Sequence, residues 1–263
     1  MKVLTFGEVM LRLKTPEHLK ILQADTFEAN YGGAEANVAV SLATLGDDVS
    51  YVTKVPEHQV GQAAVNEIRR FGVDTSRVLR GGGRVGIYYF EKGTNIRPTS
   101  VVYDRAYSAI AMAKAEEFDW EKLLDGVDLF YFSGITPAIS TEIEKALENA
   151  LALCREKKIQ VVCDLNYRGK MWSTKDAQRV MRRLMAYVDV CIANDKDFES
   201  SLGIPAYDGD MSRGIEQIES YKEGMLEIQK QFPNCKAVAS VLRNLYTVED
   251  GDWMGIYLKD GKF

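Results

Sequence analysis

The chain has 263 residues, with 33 Lys and Arg against 38 Asp and Glu for a formal net charge of −5; 46% of it is hydrophobic and 27% charged. That is the balance of an ordinary globular protein with enough chain to bury a full core. The acidic sign excludes the basic footprint of a nucleic-acid binder, and no run of 18 apolar residues exists to span a membrane.

Residues 3–6 read as a short buried strand. The apolar stretch at the start is too short for a signal peptide and has no small-residue cleavage site, so a cytoplasmic protein is expected. Met10-Leu11-Arg12-Leu13-Lys14 alternates as a half-exposed strand does. Two helices follow at about 34–45 and 60–71, with Gly46 and Gly72 as C-terminal stops. Gly81-Gly82-Gly83-Arg84-Val85-Gly86 has the form G-x-G-x-x-G. A dinucleotide site needs a helix after that loop, and Ile87-Tyr88-Tyr89-Phe90 reads as a strand. No G-x-x-x-x-G-K-[ST] occurs either, so Rossmann dehydrogenases and P-loop NTPases are set aside. Alternation runs through residues 85–90, turns at Lys92-Gly93 and returns around Val101-Val102-Tyr103. Segments with one solvated face predict a small sheet separate from the main one.

The second half keeps a regular beat. Short apolar runs begin at residues 128, 159 and 188, 31 and 29 residues apart, which is the spacing of βαβ units, and a fourth covers 237–241. A helix from Thr141 carries Ile143, Leu147, Ala150, Leu151 and Cys154 at a period near 3.6, with Thr141 and Glu144 as a capping box. The next starts near Ser173 and carries Ala177, Val180, Met181 and Leu184. Residues 208–224 form a polar surface excursion leading into another helix. Apolar strands alternating with amphipathic helices predict an α/β fold, a parallel sheet covered on both faces.

The four cysteines (Cys154, Cys163, Cys191, Cys235) form no C-x-x-C pair and read as small buried hydrophobes. His18 and His58 have no metal-ligand spacing, and no G-x-S-x-G elbow occurs. Carboxylates, arginines, tyrosines and backbone amides remain to carry the chemistry. Ligands of open parallel sheets bind beyond the C-terminal ends of the strands. At those ends stand Ser133-Gly134-Ile135-Thr136-Pro137, Asp164-Leu165-Asn166-Tyr167-Arg168 and Asn194-Asp195-Lys196-Asp197. Asp164 or Asn166 could instead cap the next helix. Gly32-Gly33 before a helix suits close approach of backbone to a ligand, and an ordinary glycine turn would look the same. Tyr103 and Arg105, two apart in an extended segment, share a face that suits a small hydroxylated acid, although a solvated Arg fits the pattern equally.

The chain resembles the ribokinase or PfkB-type carbohydrate kinases, and among them the 2-keto-3-deoxygluconate kinases most closely. The resemblance rests on Leu4-Thr5-Phe6-Gly7-Glu8, Tyr31-Gly32-Gly33-Ala34-Glu35-Ala36-Asn37, Tyr103-Asp104-Arg105, Ser133-Gly134-Ile135-Thr136-Pro137-Ala138 and Asp164-Leu165-Asn166-Tyr167-Arg168, in the family's order. It implies one ribokinase-like domain over residues 1–263, a mainly parallel central sheet and a small β-sheet lid with strands near 9–14, 85–91 and 100–104. Gly33, Asn37, Tyr88, Tyr103, Arg105, Ile135 and Arg168 would hold the sugar acid, with Arg168 also a charge stabiliser. Asn166, Asn194 and Asp197 would face the phosphates of ATP and Mg²⁺, without a direct protein ligand to the metal; the family carries Glu where this chain has Asp197. A homo-oligomer through the lid sheet is implied, with no nucleic-acid or membrane partner.

One departure changes the expectation. The family's catalytic segment is a G-A-G-D or G-G-G-D stretch whose Asp is the general base and whose glycine amides form an anion hole. No G-x-G-D occurs within these 263 residues; Asp208-Gly209-Asp210 and Asp250-Gly251-Asp252 are expected in a surface loop and a hairpin turn. The chain is therefore expected to be C-terminally incomplete and inactive as it stands. A kinase for a neutral sugar such as fructose or ribose, and a non-catalytic sugar-binding fragment or degenerate homologue, are the alternatives.

Overall fold

In the computed structural model, which describes residues 1–263, β1 (Lys2–Phe6) buries every residue after the first. It pairs in parallel with β4 (Asp48–Val52), reached through β2 (Met10–Lys14), β3 (Glu28–Gly32) and α1 (Ala34–Thr44). Phe6 packs edge-on against Phe118 and Trp120, with ring centroids 5.2 and 5.1 Å apart. After β4 come β5 (Lys54–Val55), α2 (Gln59–Arg69), β6 (Leu79–Arg80), β7 (Gly86–Glu91), β8 (Ser100–Asp104) and the single turn α3 (Trp120–Leu123). These elements belong to one compact unit, Met1–Asp128 with Thr247–Glu249. Gly46 and Gly72 stop α1 and α2 as expected: both have positive φ (+98° and +91°), and the Gly46 and Asp47 amides bond back to Ala43 and Leu42 at 3.0 Å each.

The small sheet has the order β3-β2-β7-β8. β2 pairs antiparallel with β3 and parallel with β7, and β7 pairs antiparallel with β8. Its register aligns Asn30, Arg12, Tyr88 and Tyr103 in one row across all four strands, and paired residues project to the same face. The other face takes Leu11, Leu13, Ile87, Tyr89 and Val102. β3 is a strand that the sequence pattern did not indicate.

The second unit is Leu129–Tyr246 with Asp250–Phe263. It holds β9 (Leu129–Ser133), α4 (Thr141–Lys157), β10 (Gln160–Asp164), α5 (Thr174–Leu184), β11 (Val190–Ile192), α6 (Asp197–Leu202), α7 (Ile218–Gln231), β12 (Ala237–Leu245) and β13 (Gly251–Lys259). Strands β9 to β12 run parallel in sequence order, and β13 returns as an antiparallel hairpin on β12. α4 packs on β10 and α7 on β12. The cap of α4 differs from the expected one: Ser140, not Thr141, is the N-cap, its Oγ accepting from the Ile143 amide at 3.3 Å. Thr141 already lies inside the helix, so no Thr141–Glu144 box forms. Ser173 caps α5, which leaves Asp164 and Asn166 free of that duty. All four cysteines are buried and unbridged; burial pushes the Cys154 thiol up to about 12 and Cys235 up to about 11.

Candidate functional site

The first unit places five of the expected sugar-acid residues. Gly33 sits at the N-cap of α1 with its backbone against Glu8; a Cβ there would lie 2.0 Å from the Glu8 carbonyl oxygen. Asn37, one turn on, and Tyr88 of β7 line a cavity of about 470 Å³ together with Arg12 and Asn30. Tyr103 stands beside Tyr88 with ring centroids 6.0 Å apart, and the Arg105 guanidinium lies 5.8 Å from the Tyr103 ring. Tyr103 and Arg105 thus share one side, as the spacing of two predicts. Burial pushes the Tyr88 phenol up, against the pull of the Arg12 guanidinium.

Arg105 is not a solvated arginine. Its Nε donates to Glu8 Oε2 at 2.9 Å, its Nη2 pairs with the same oxygen, and Ser108 Oγ donates to Glu8 Oε1 at 2.6 Å. Glu8 is only 3% exposed, so the carboxylate is held by partners brought from 97 and 100 residues away. Glu8, Arg12 and Asn30 are site residues that sequence reasoning missed. Arg12 had a signal, the period of two that puts it on one face with Met10 and Lys14. Glu8 had one too, as the last residue of the Leu4-Thr5-Phe6-Gly7-Glu8 stretch that carries the resemblance, but its role was not read from it.

The second unit places Ile135 just after β9 and Arg168 after β10, where Arg168 Nη1 donates to the Tyr167 carbonyl at 2.9 Å. Asn166, Arg168, Asn194 and Asp197 line a second cavity, of about 630 Å³, beyond the C-terminal ends of β10 and β11. A cavity thus lies where the rule for open parallel sheets places ligands. Asn166 and Asp195 adopt left-handed backbone there, φ +39° and +41°. Asn194 Oδ1 accepts from the Val241 amide at 2.7 Å, tying the β11 loop to β12. Asp197 Oδ1 accepts from the Tyr167 amide at 2.7 Å and Oδ2 from the Asn194 amide at 3.1 Å, so both oxygens staple adjacent loops. Arg243, paired with Asp195 and lying over the Trp253 ring at 5.5 Å, also lines this cavity and was missed by the sequence reading.

The donor set fits a nucleotide's phosphates: Arg168, Lys196 and Arg243 line the cavity, and the buried Tyr207 hydroxyl and Arg243 Nε have no partner of their own. No three His, Cys, Asp or Glu side chains converge to hold a metal ion.

Burial pushes the Asp197 carboxyl up to about 6, in spite of its two amide donors. The folded state therefore holds this proton more tightly than the unfolded chain. Its stabilising contribution is complete below about pH 4 and is lost as pH rises through 6, a swing of about 3 kcal/mol at most. Urea unfolding at pH 4.5, 5.5 and 7 is expected to show the native chain losing stability relative to Asp197→Asn across this window. Parallel pH profiles for the two proteins would contradict it.

Residues 1–232 match the pfkB family carbohydrate kinase description, and the chain belongs to that family. It is 36% identical over 209 residues to a 2-dehydro-3-deoxygalactonokinase of Haloferax volcanii, covering 80% of this chain and 64% of that protein. It is 30% identical over 170 residues to a 2-dehydro-3-deoxygluconokinase of Bacillus subtilis, covering 64% of this chain and 52% of that protein. The chain thus spans less than two thirds of the length of these curated relatives. The crystal structure of a 2-dehydro-3-deoxygluconokinase of Thermotoga maritima superposes with a TM-score of 0.93 at 47% identity, over all of this chain and 77% of that one. The larger, mostly parallel sheet with its helices and the smaller, mainly antiparallel sheet are those of the ribokinase-like fold. No helix is long and apolar enough to cross a membrane.

Proposed function

We propose that this chain serves the ATP-dependent phosphorylation of 2-keto-3-deoxygluconate on its terminal hydroxyl, with Mg²⁺. The observation that carries the reading is the row Asn30, Arg12, Tyr88 and Tyr103 across the small sheet, of which Asn30, Arg12 and Tyr88 line one cavity with Asn37. Phenols and amides suit sugar hydroxyls, and a guanidinium suits a carboxylate. The names of the Haloferax, Bacillus and Thermotoga proteins support the same substrate class. In this reading the small sheet is a lid over the sugar, Gly33, Asn37, Tyr88, Tyr103, Arg105, Ile135 and Arg168 hold the acid, and Asn166, Asn194 and Asp197 serve the phosphates. The lid's second face, with Leu11, Leu13, Ile87 and Tyr89, would join two copies, and the setting would be cytoplasmic.

Positioning and charge stabilisation dominate phosphoryl transfer. The general base and anion hole of a G-x-G-D segment are not within these residues. A polypeptide of residues 1–263 is therefore expected to bind the sugar acid and to turn it over little or not at all. Calorimetry with 2-keto-3-deoxygluconate and with its neutral 3-deoxyhexulose counterpart, followed by a coupled ADP assay, tests both parts. Tighter binding of the acid without turnover is the expected result. Equal or tighter binding of the neutral sugar would overturn the acid assignment, and turnover at ordinary kinase rates would overturn the expected inactivity.

A further inference from the structure

The second unit holds a further cavity, of about 390 Å³, at the other end of its strands from Asn166 and Asn194. Gln160, which opens β10, lines it, as do Asp189 and Lys236, the residues just before β11 and β12. Buried Cys154, Ile159 and Val161 give it an apolar floor. Its charge sets it apart. Arg155, Lys158 and Lys236 bring three cations against the single carboxylate of Asp189, leaving a formal +2 in a chain whose net charge is −5. None of the three cations pairs with a carboxylate: Arg155 Nη2 donates to the Ala186 carbonyl and Lys236 Nζ to the Pro233 carbonyl at 3.1 Å. The frame around them is fixed before any ligand arrives. The Arg155 guanidinium lies 4.6 Å from the centre of the Tyr187 ring, and Asn234 Nδ2 donates to the Met185 and Val188 carbonyls at 2.8 and 2.7 Å. Asp189 Oδ2 accepts from the Val161 amide at 2.8 Å, which commits one oxygen of the only opposing carboxylate to the backbone. A cleft so ordered loses less entropy on binding, and its excess of one sign concentrates anions.

We propose that this cavity binds a phosphorylated sugar acid, at a site separate from both cavities described above. The two ammonium groups serve the phosphate as point charges, and the planar fork of Arg155 suits the carboxylate. The volume is more than a lone phosphate fills and falls in the range of small-molecule pockets, so the carbon chain of the ligand lies on the apolar floor. The product of the reaction proposed above belongs to this chemical class, but the site stands on its own residues and does not depend on that reading.

The experiment is calorimetry on the full 263-residue chain with 6-phosphogluconate as the probe, in saturating 2-keto-3-deoxygluconate, with gluconate and inorganic phosphate titrated for comparison. One site with a Kd of about 10–100 μM is expected for the probe, and binding at least about 10-fold weaker for either partial ligand. Lys158→Ser and Lys236→Ser should each weaken the probe by about 10-fold, the range of one hydrogen bond to a charged group. Lys236→Arg keeps the charge and should hold most of the affinity. Arg243→Gln, in the cavity beyond β10 and β11, should leave the probe within about twofold. Both lysines are exposed, so the serine variants should unfold in urea at the native midpoint. Absence of saturable binding to the native chain overturns the proposal. So does binding that survives both lysine substitutions, or that Arg243→Gln removes, since either puts the probe elsewhere. Inorganic phosphate or gluconate binding as tightly as the probe overturns the ligand class. Probe binding with the expected variant effects supports the site even where 2-keto-3-deoxygluconate itself fails to bind, so this proposal and the sugar-acid reading fail separately.

Discussion

Arg105→Ala is expected to cost about 3–5 kcal/mol of folding stability, because it strands a buried carboxylate. Glu8 is 3% exposed and draws most of its compensation from Arg105, through Nε at 2.9 Å and through Nη2. With the guanidinium gone, the Ser108 hydroxyl at 2.6 Å is the remaining donor seen on that carboxylate. Neutralising the acid in the same background should reverse the loss, since the expensive species is the unpaired charge rather than the missing pair. Arg105→Ala with Glu8→Gln is thus expected to be more stable than Arg105→Ala alone, recovering at least half of the deficit. Urea midpoints for the two single variants and the double variant form the cycle that isolates the pair. A loss under about 1 kcal/mol for Arg105→Ala, or no recovery in the double variant, would refute it. The consequence for function is practical. Ligand binding measured on Arg105→Ala alone mixes a lost contact with a weakened lid, and the double variant separates them.

The parts of the fold that were legible are those set by local rules. Continuous apolar runs at β9, β10 and β11, a period of 3.6 in α4 and α5, and glycines after α1 and α2 each have a near-neighbour cause. The polar clusters after those strands led to the Asn166, Asn194 and Asp197 cavity for the same reason: the position follows from strand direction. β3 escaped because Glu28-Ala29-Asn30-Tyr31-Gly32 has neither an apolar run nor clean alternation. It becomes a strand because β2 offers its backbone, a partner about 18 residues away in sequence. The cap of α4 went to Ser140 over Thr141 because two adjacent hydroxyls carry the same local signal and packing chooses between them. The least legible feature was the state of Arg105. Its spacing from Tyr103 was readable, but the carboxylate that holds it lies 97 residues earlier, and no periodicity reaches that far.

Gly33→Ala is expected to be at least as damaging as Arg105→Ala, for a purely steric reason. The residue has φ −173°, an extended conformation open to any amino acid, so backbone preference gives alanine no penalty there. The obstacle is the Glu8 carbonyl oxygen, which a Cβ would meet at 2.0 Å. That oxygen belongs to the backbone and cannot rotate aside, so the start of α1 must move by on the order of 1 Å against a close-packed neighbour. Overpacking of this kind costs about 1–3 kcal/mol where the surroundings relax, and more where they do not. Here both sides are anchored, Glu8 by Arg105 and Ser108 and α1 by its buried Ala36 and Ala39, so a loss above about 3 kcal/mol is expected. Gly46→Ala is the matched control. Its φ of +98° disfavours alanine, but nothing lies within 4 Å of the new Cβ, so it should cost about 1–2 kcal/mol and leave binding alone. Any folded fraction of Gly33→Ala should bind the sugar acid on the order of 100-fold more weakly, because the displaced helix carries Asn37 out of its place beside Tyr88. Urea midpoints and calorimetry on the two glycine variants decide the matter. If Gly33→Ala is no worse than Gly46→Ala in either measurement, the close approach of α1 to Glu8 is not what sets the geometry of the lid cavity.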